Sequence, residues 1–170
     1  MPYTKRKPAK HEKVAVVKIF RALSDYIAEG GKQSGANKVA RDALFFIYEG
    51  GEKGKHDRDP KSKKASQLSL RTLGEKQKYL RYDHSIPLTC WLHDLITRCN
   101  ELSDKRILEK IELYNHVCII TTGEDKKLAQ KKLSKRMPPG WYQEKPEDIS
   151  REEWIKKWMD KRYQAAGIEF

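Results

Sequence analysis

The chain is short of the features that mark secreted, zinc-stapled and membrane-spanning proteins. Its three cysteines, Cys90, Cys99 and Cys118, are odd in number and form no Cys-x-x-Cys pair. That argues against a disulfide framework and against structural zinc. Each cysteine sits in an apolar stretch and is expected as a small buried hydrophobe. No apolar run approaches the ~20 residues that a membrane span needs. The start, Met1-Pro2-Tyr3-Thr4-Lys5-Arg6-Lys7, lacks the apolar core of a signal peptide. The expectation is a soluble, intracellular, cytoplasmic protein that does not engage membranes. The chain shows no internal repeat either.

Acidic charge is also in deficit. The 170 residues carry 36 Lys and Arg against 24 Asp and Glu, a net charge of +12. The excess is unevenly placed: residues 51–82 and 126–136 each sum to +6, and the intervening 83–125 sum to −4. A polyanion is drawn to such basic flanks by phosphate neutralisation and counterion release, and an acidic middle can hold a cation against the same backbone. The competing reading of basic runs is a solvated face or a localisation signal. Charged residues make up 35% of the chain and hydrophobic ones 38%, enough for one compact domain with a modest core.

Taken in order, residues 1–13 form a basic tail that is expected to be disordered. Residues 14–50 are expected as a helical hairpin. Its first helix spans residues 12–29, with Val16, Phe20, Leu23 and Ile27 at helical spacing before Gly30-Gly31. The second runs over 36–48, with Val39, Ala43, Phe46 and Ile47 as its apolar face and Gly50-Gly51 as its stop. Residues 51–66 have little to bury and read as an exposed basic loop. His56, Asp57 and Asp59 there form a solvated turn, and Lys63 and Lys64 are candidate phosphate contacts.

Alternation over residues 78–82 predicts a strand that delivers Asp83-His84 to its end, where Pro87 stops the ladder. An apolar helix follows, carrying Trp91, Leu92, Leu95, Ile96 and Cys99 inward, with His93 beside them expected as partly buried. Ser103 caps another helix, whose Ile107, Leu108 and Ile111 face the core. Residues 116–121 are short, branched and apolar, the clearest strand in the chain. They run into Thr122-Gly123-Glu124-Asp125 and a basic helix to Leu133. In the last segment, 137–170, a Pro-Pro-Gly loop leads to a helix from Ser150 to Gly167 carrying Trp154, Ile155, Trp158 and Met159. The fold class expected is α+β, predominantly helical.

Chemistry concentrates at Leu80-Arg81-Tyr82-Asp83-His84-Ser85-Ile86-Pro87-Leu88. A carboxylate can hold a hard divalent cation, and an imidazole that titrates near neutrality can take a proton from water. Asp and His are equally ordinary residues of strand ends and turns. Asp83-His84-Ser85-Ile86-Pro87, Asn115, the strand 117–121 and the acids Glu124 and Asp125 together resemble the HNH, or His-Me finger, nucleases, whose core is a two-stranded ribbon and one helix around a single metal ion. The resemblance covers residues 79–133. The chain departs from the family pattern in its long helical insertion between the strands, in lacking the zinc-binding cysteine pairs of many members, and in carrying an acid at the last metal position.

The resemblance implies a ββα-metal-like core over 67–136, with His84 as general base and Asn115 bracing the loop that orients it. It implies that Asp83 and Asp125, with Glu124 as substitute, hold one divalent ion, Mg2+ or Mn2+. Arg81, Lys126 and Lys127 are neighbours of these positions and natural phosphate contacts, and Lys131 extends the same basic helix. The expected activity is metal-dependent endonucleolytic hydrolysis of nucleic acid, DNA favoured over RNA. The alternative is a basic nucleic-acid-binding protein without catalysis, an accessory or inhibitory factor. A third reading displays the Trp154/Trp158 helix to a protein partner.

Overall fold

The computed structural model describes residues 7–51, 58, 60, 61, 65, 67–141, 153, 157, 158 and 161–169. Lys63, Lys64, His56, Asp57, Asp59 and Trp154 lie outside the described residues. Helix α1 spans Lys10–Ala28 and α2 spans Gln33–Ala43, which continues into one wider helical turn at Leu44–Tyr48. The basic tail is thus shorter than expected, because Lys10–Lys13 are already helical. The Glu12 carboxylate returns to accept from the Ala9 N–H at 2.6 Å and satisfies a donor that the first turn would leave open. Gly30, at φ 91°, reverses the chain after α1.

Alanines decide how the hairpin closes. Ala36, Ala40 and Ala43 are the buried face of α2, while Val39 and Phe46, expected inward, are 49% and 45% exposed. Small side chains let α2 lie close against α1, and the wider turn at Leu44–Tyr48 then rotates Leu44, Phe45 and Tyr48 into the core in place of Phe46.

Strand β1, Leu80–His84, pairs antiparallel with β2, Val117–Thr121, with Leu80 opposite Thr121 and His84 opposite Val117. The connection between them carries α3, Leu92–Arg98, and α4, Asp104–Tyr114. The long insertion therefore leaves the ribbon intact. Ser103 caps α4 by accepting from the Arg106 N–H at 3.3 Å. Helix α5, Thr122–Gln130, follows β2 directly, and α6 is the short helix Lys161–Ala165. The fold is α+β and predominantly helical, with a ribbon-then-helix order at its centre.

Among the described residues three buried clusters form the core, the smallest being Ala65, Leu80, Val117 and Ile119 on one face of the ribbon. The largest gathers Val16, Phe20, Leu44, Ile96, Ile107 and Ile111 between the hairpin and the inserted helices. On the far side, Cys118 and Ile120 pack with Leu128 of α5 and with Tyr163, Ala166 and Ile168. Trp158 joins the largest cluster. The outer edge of β2 is not left open: the Ser69 hydroxyl accepts from the Ile119 N–H at 2.8 Å, and Ala65 bridges Val117. Cys99 and Cys118 are buried and Cys90 is half-buried. His93, expected as partly buried, is exposed instead, because Trp91, Leu92, Leu95 and Ile96 supply the inward face of α3. Among the described residues, no helix is long and apolar enough to cross a membrane.

Candidate active site on the two faces of the ribbon

Successive side chains of a strand point to opposite faces, so Asp83 and His84, adjacent in sequence, are parted by the sheet. Leu80, Tyr82 and His84 share one face of β1, and Arg81 and Asp83 share the other.

On the first face, His84 enters a polar cluster built around Glu49, which is 8% exposed. Glu49 stands just beyond the wide turn that ends the hairpin. Its Oε1 accepts from Asn115 Nδ2 at 2.9 Å and lies 3.7 Å from His84 Nε2. Its Oε2 accepts from the Tyr82 hydroxyl. The Tyr82 ring sits edge-on to the His84 ring, with centroids 5.7 Å apart, and edge-on to Phe45 at 5.9 Å. His84 and Asn115, singled out in the sequence as base and brace, are therefore brought to one carboxylate. Sequence reading missed Glu49. Its sole local signal is a single acid between an apolar run and a Gly-Gly stop.

This arrangement has a chemical consequence. The distance from Nε2 to Glu49 is beyond a direct hydrogen bond and within reach of charge attraction. A carboxylate there favours the tautomer protonated at Nε2, which leaves Nδ1 as the basic nitrogen. Packing against Tyr82 limits rotation of the ring. The His84 side chain keeps 17% of its surface exposed, so the imidazole is oriented from within and reachable from outside.

The second face is organised by arginines. Asp83 receives Arg162 Nη1 at 2.7 Å on Oδ2 and Nη2 at 3.2 Å on Oδ1, a two-pronged pairing. The Tyr163 hydroxyl adds a donor to Oδ2 at 2.8 Å. Arg162 also gives hydrogen bonds to the carbonyls of His84 and Leu133, both at 2.7 Å, and is 1% exposed. Burial works against its charge. The Asp83 charge and hydrogen bonds outweigh that cost and hold the Arg162 pKa above the ordinary arginine value. For Tyr163, burial first and the Asp83 charge second push the hydroxyl well above the usual tyrosine range, which keeps it a neutral donor.

Glu124 is engaged in the same way. Arg71 grips both its oxygens, Nε at 3.1 Å and Nη2 at 2.9 Å. The same carboxylate accepts from the Thr121 N–H at 2.7 Å while the Thr121 hydroxyl accepts from the Glu124 N–H at 3.1 Å, closing a capping box. Asp125 is half-buried in the first turn of α5. That turn follows Thr121, which pairs with Leu80, so it begins about four strand residues, ~13 Å, from the end of the ribbon that carries His84. Leu128 places α5 against the second face.

As a set, then, Asp83, Glu124 and Asp125 do not fit a shared divalent ion beside His84. Two of the three carboxylates are committed to guanidinium groups, and the imidazole points away from all of them. Among the described residues, no group of three or more His, Cys, Asp or Glu side chains is placed to hold a metal ion. Lys126, Lys127 and Lys131 are exposed, with Lys127 Nζ donating to the Gly167 carbonyl at 3.1 Å. Arg81 is half-buried and donates to the carbonyls of Leu80 and Lys78 at 3.0 and 3.3 Å.

Compared with protein-family models, with curated proteins and with solved structures, the chain matches none.

Proposed function

We propose that the protein acts on the phosphodiester backbone of nucleic acid, as an endonuclease in which His84 is the general base. The single observation that carries this reading is the convergence of His84 and Asn115 on the buried Glu49 carboxylate, at the edge of a ribbon-and-helix unit. Glu49, held by Asn115, lies 3.7 Å from the His84 ring and supports a proton on Nε2 by charge attraction. The imidazole takes a proton from an attacking water, contributing on the order of 10²- to 10⁴-fold in rate. The exposed lysines of α5 and the basic flanks supply affinity for the substrate backbone, DNA favoured over RNA.

A specific observation favours a second reading, a nucleic-acid-binding protein without catalysis. Asp83 and Glu124 are each neutralised by an arginine, which gives both a structural use and leaves the charge pattern as the main functional signal. Supercoiled plasmid and single-stranded DNA, incubated with Mg2+ or Mn2+ and with chelator, separate the two. Cleavage that His84→Ala abolishes, with binding retained, supports the nuclease. Retention of DNA without cleavage in every condition supports the binding protein, and cleavage by the His84→Ala chain at the parent's rate overturns the assignment of the base.

A further inference from the structure

Between α2 and the start of α3 lies a cavity of about 450 Å³, within the size range of small-ligand sites. Its α2 wall is a polar stripe, Ser34, Asn37, Lys38 and Arg41, at the three- and four-residue spacing that puts side chains on one helix face. Leu88 and Leu92 give the opposite wall an apolar floor, and Thr89 and His93 stand beside them. Among the described residues, no carboxylate lines the space. Lys38 and Arg41 are exposed and have no carboxylate partner among the described residues. Asn37 Oδ1 already accepts from Gln33 Nε2 at 2.8 Å, which leaves its amide hydrogens as donors. Two cationic side chains, amide donors and an apolar floor suit a ligand with a phosphate at one end and a flat apolar body at the other.

We propose that this cavity seats one nucleotide of the strand that His84 acts on, with the phosphate against Lys38 and Arg41 and the sugar and base over Leu88 and Leu92. The volume exceeds what a lone phosphate fills. Leu88 is four residues beyond His84, so their Cα atoms are at most ~14 Å apart. At a rise of ~3.4 Å per nucleotide that is a few nucleotides along a strand. The identity of the strand rests on the nuclease reading; the phosphate-binding chemistry of the cavity does not.

The test is made with the full chain in a His84→Ala background, so that binding is read without turnover. Fluorescence anisotropy of a labelled single-stranded oligonucleotide is followed over a salt series, with and without Lys38→Ala and Arg41→Ala together. Both positions are exposed, and circular dichroism verifies the fold. The double replacement is expected to weaken binding at least about tenfold and to flatten the dependence of log Kd on log salt by about 0.7, for the one single-strand phosphate that the two side chains share. Lys105→Ala with Lys110→Ala removes equal charge from α4 and should do neither. If the cavity pair leaves affinity and slope unchanged, or the α4 pair lowers both as much, the proposal is overturned. It is also overturned if adenosine monophosphate binds the parent and not the cavity variant while oligonucleotide affinity is the same in both, since the cavity is then a free-nucleotide site. None of these readouts depends on whether the parent chain cuts DNA, so failure here is distinct from failure of the nuclease reading.

Discussion

Asp83→Ala takes the partner from a guanidinium that is 1% exposed, and the cost follows from what remains around Arg162. Two of its four hydrogen bonds go to Asp83, and the other two, to the carbonyls of Leu133 and His84, survive. Stripping the partner from a buried ion pair costs about 3–5 kcal/mol. Asp83 is 20% exposed, so water can replace part of it, and the lower end, ~3 kcal/mol, is expected. For a chain of this length that is a fall in Tm of roughly 6–12 °C. Arg162→Met should cost less than Asp83→Ala, because the carboxylate it strands reaches solvent and keeps the Tyr163 hydroxyl. The double variant should then be more stable than the sum predicts, with a coupling of about 2 kcal/mol.

Urea unfolding followed by tryptophan fluorescence gives all four corners of this cycle, with m unchanged if only stability is altered. An Asp83 that held an ion would behave differently. Parent stability would then rise with added Mg2+ and fall with chelator, and Asp83→Ala would remove that response. A cycle that is additive, or an Asp83→Ala chain within 1 kcal/mol of the parent, would refute the clasp between the C-terminal helix and the ribbon.

Replacing Glu49 by Gln keeps the shape and removes the charge beside His84. Cleavage kcat should drop at least about tenfold with KM nearly unchanged, and ¹⁵N shifts of the His84 ring should report a changed tautomer balance even if no cleavage is found. Thr121→Ala opens the capping box of α5 and should cost about 1 kcal/mol in denaturant titrations. Burial, aided by Asp104 and Asp25 and opposed by Arg21, lifts the Cys99 thiol from 9.0 to about 11. A thiol reagent at pH 8 should therefore modify the half-buried Cys90 and leave Cys99 silent until denaturant is added, as peptide mapping will show. Because the unfolded chain releases that proton first, Cys99 contributes a loss of stability as pH rises from about 9 to about 11 and nothing below. A Cys99→Ala chain with the same alkaline slope as the parent would disprove it.

What the amino-acid order determined is what neighbours along the chain can settle among themselves. Val16 and Phe20 face inward because helical spacing stacks them. Ser103 caps α4 because its hydroxyl finds an N–H three residues on, and residues 117–121 extend because branched side chains suit a pleat. The ribbon-then-helix order at the centre was legible for the same reason. The tertiary structure alone decided which side of the ribbon each functional group serves and with whom. Glu49 meets Asn115 across 66 residues, and Arg162 meets Asp83 across 79. Nothing local marks either pair, since a carboxylate reads the same whether it faces water, a cation or an imidazole. Only packing of the hairpin on one face of β1 and of α6 on the other takes those charges out of water and fixes their partners.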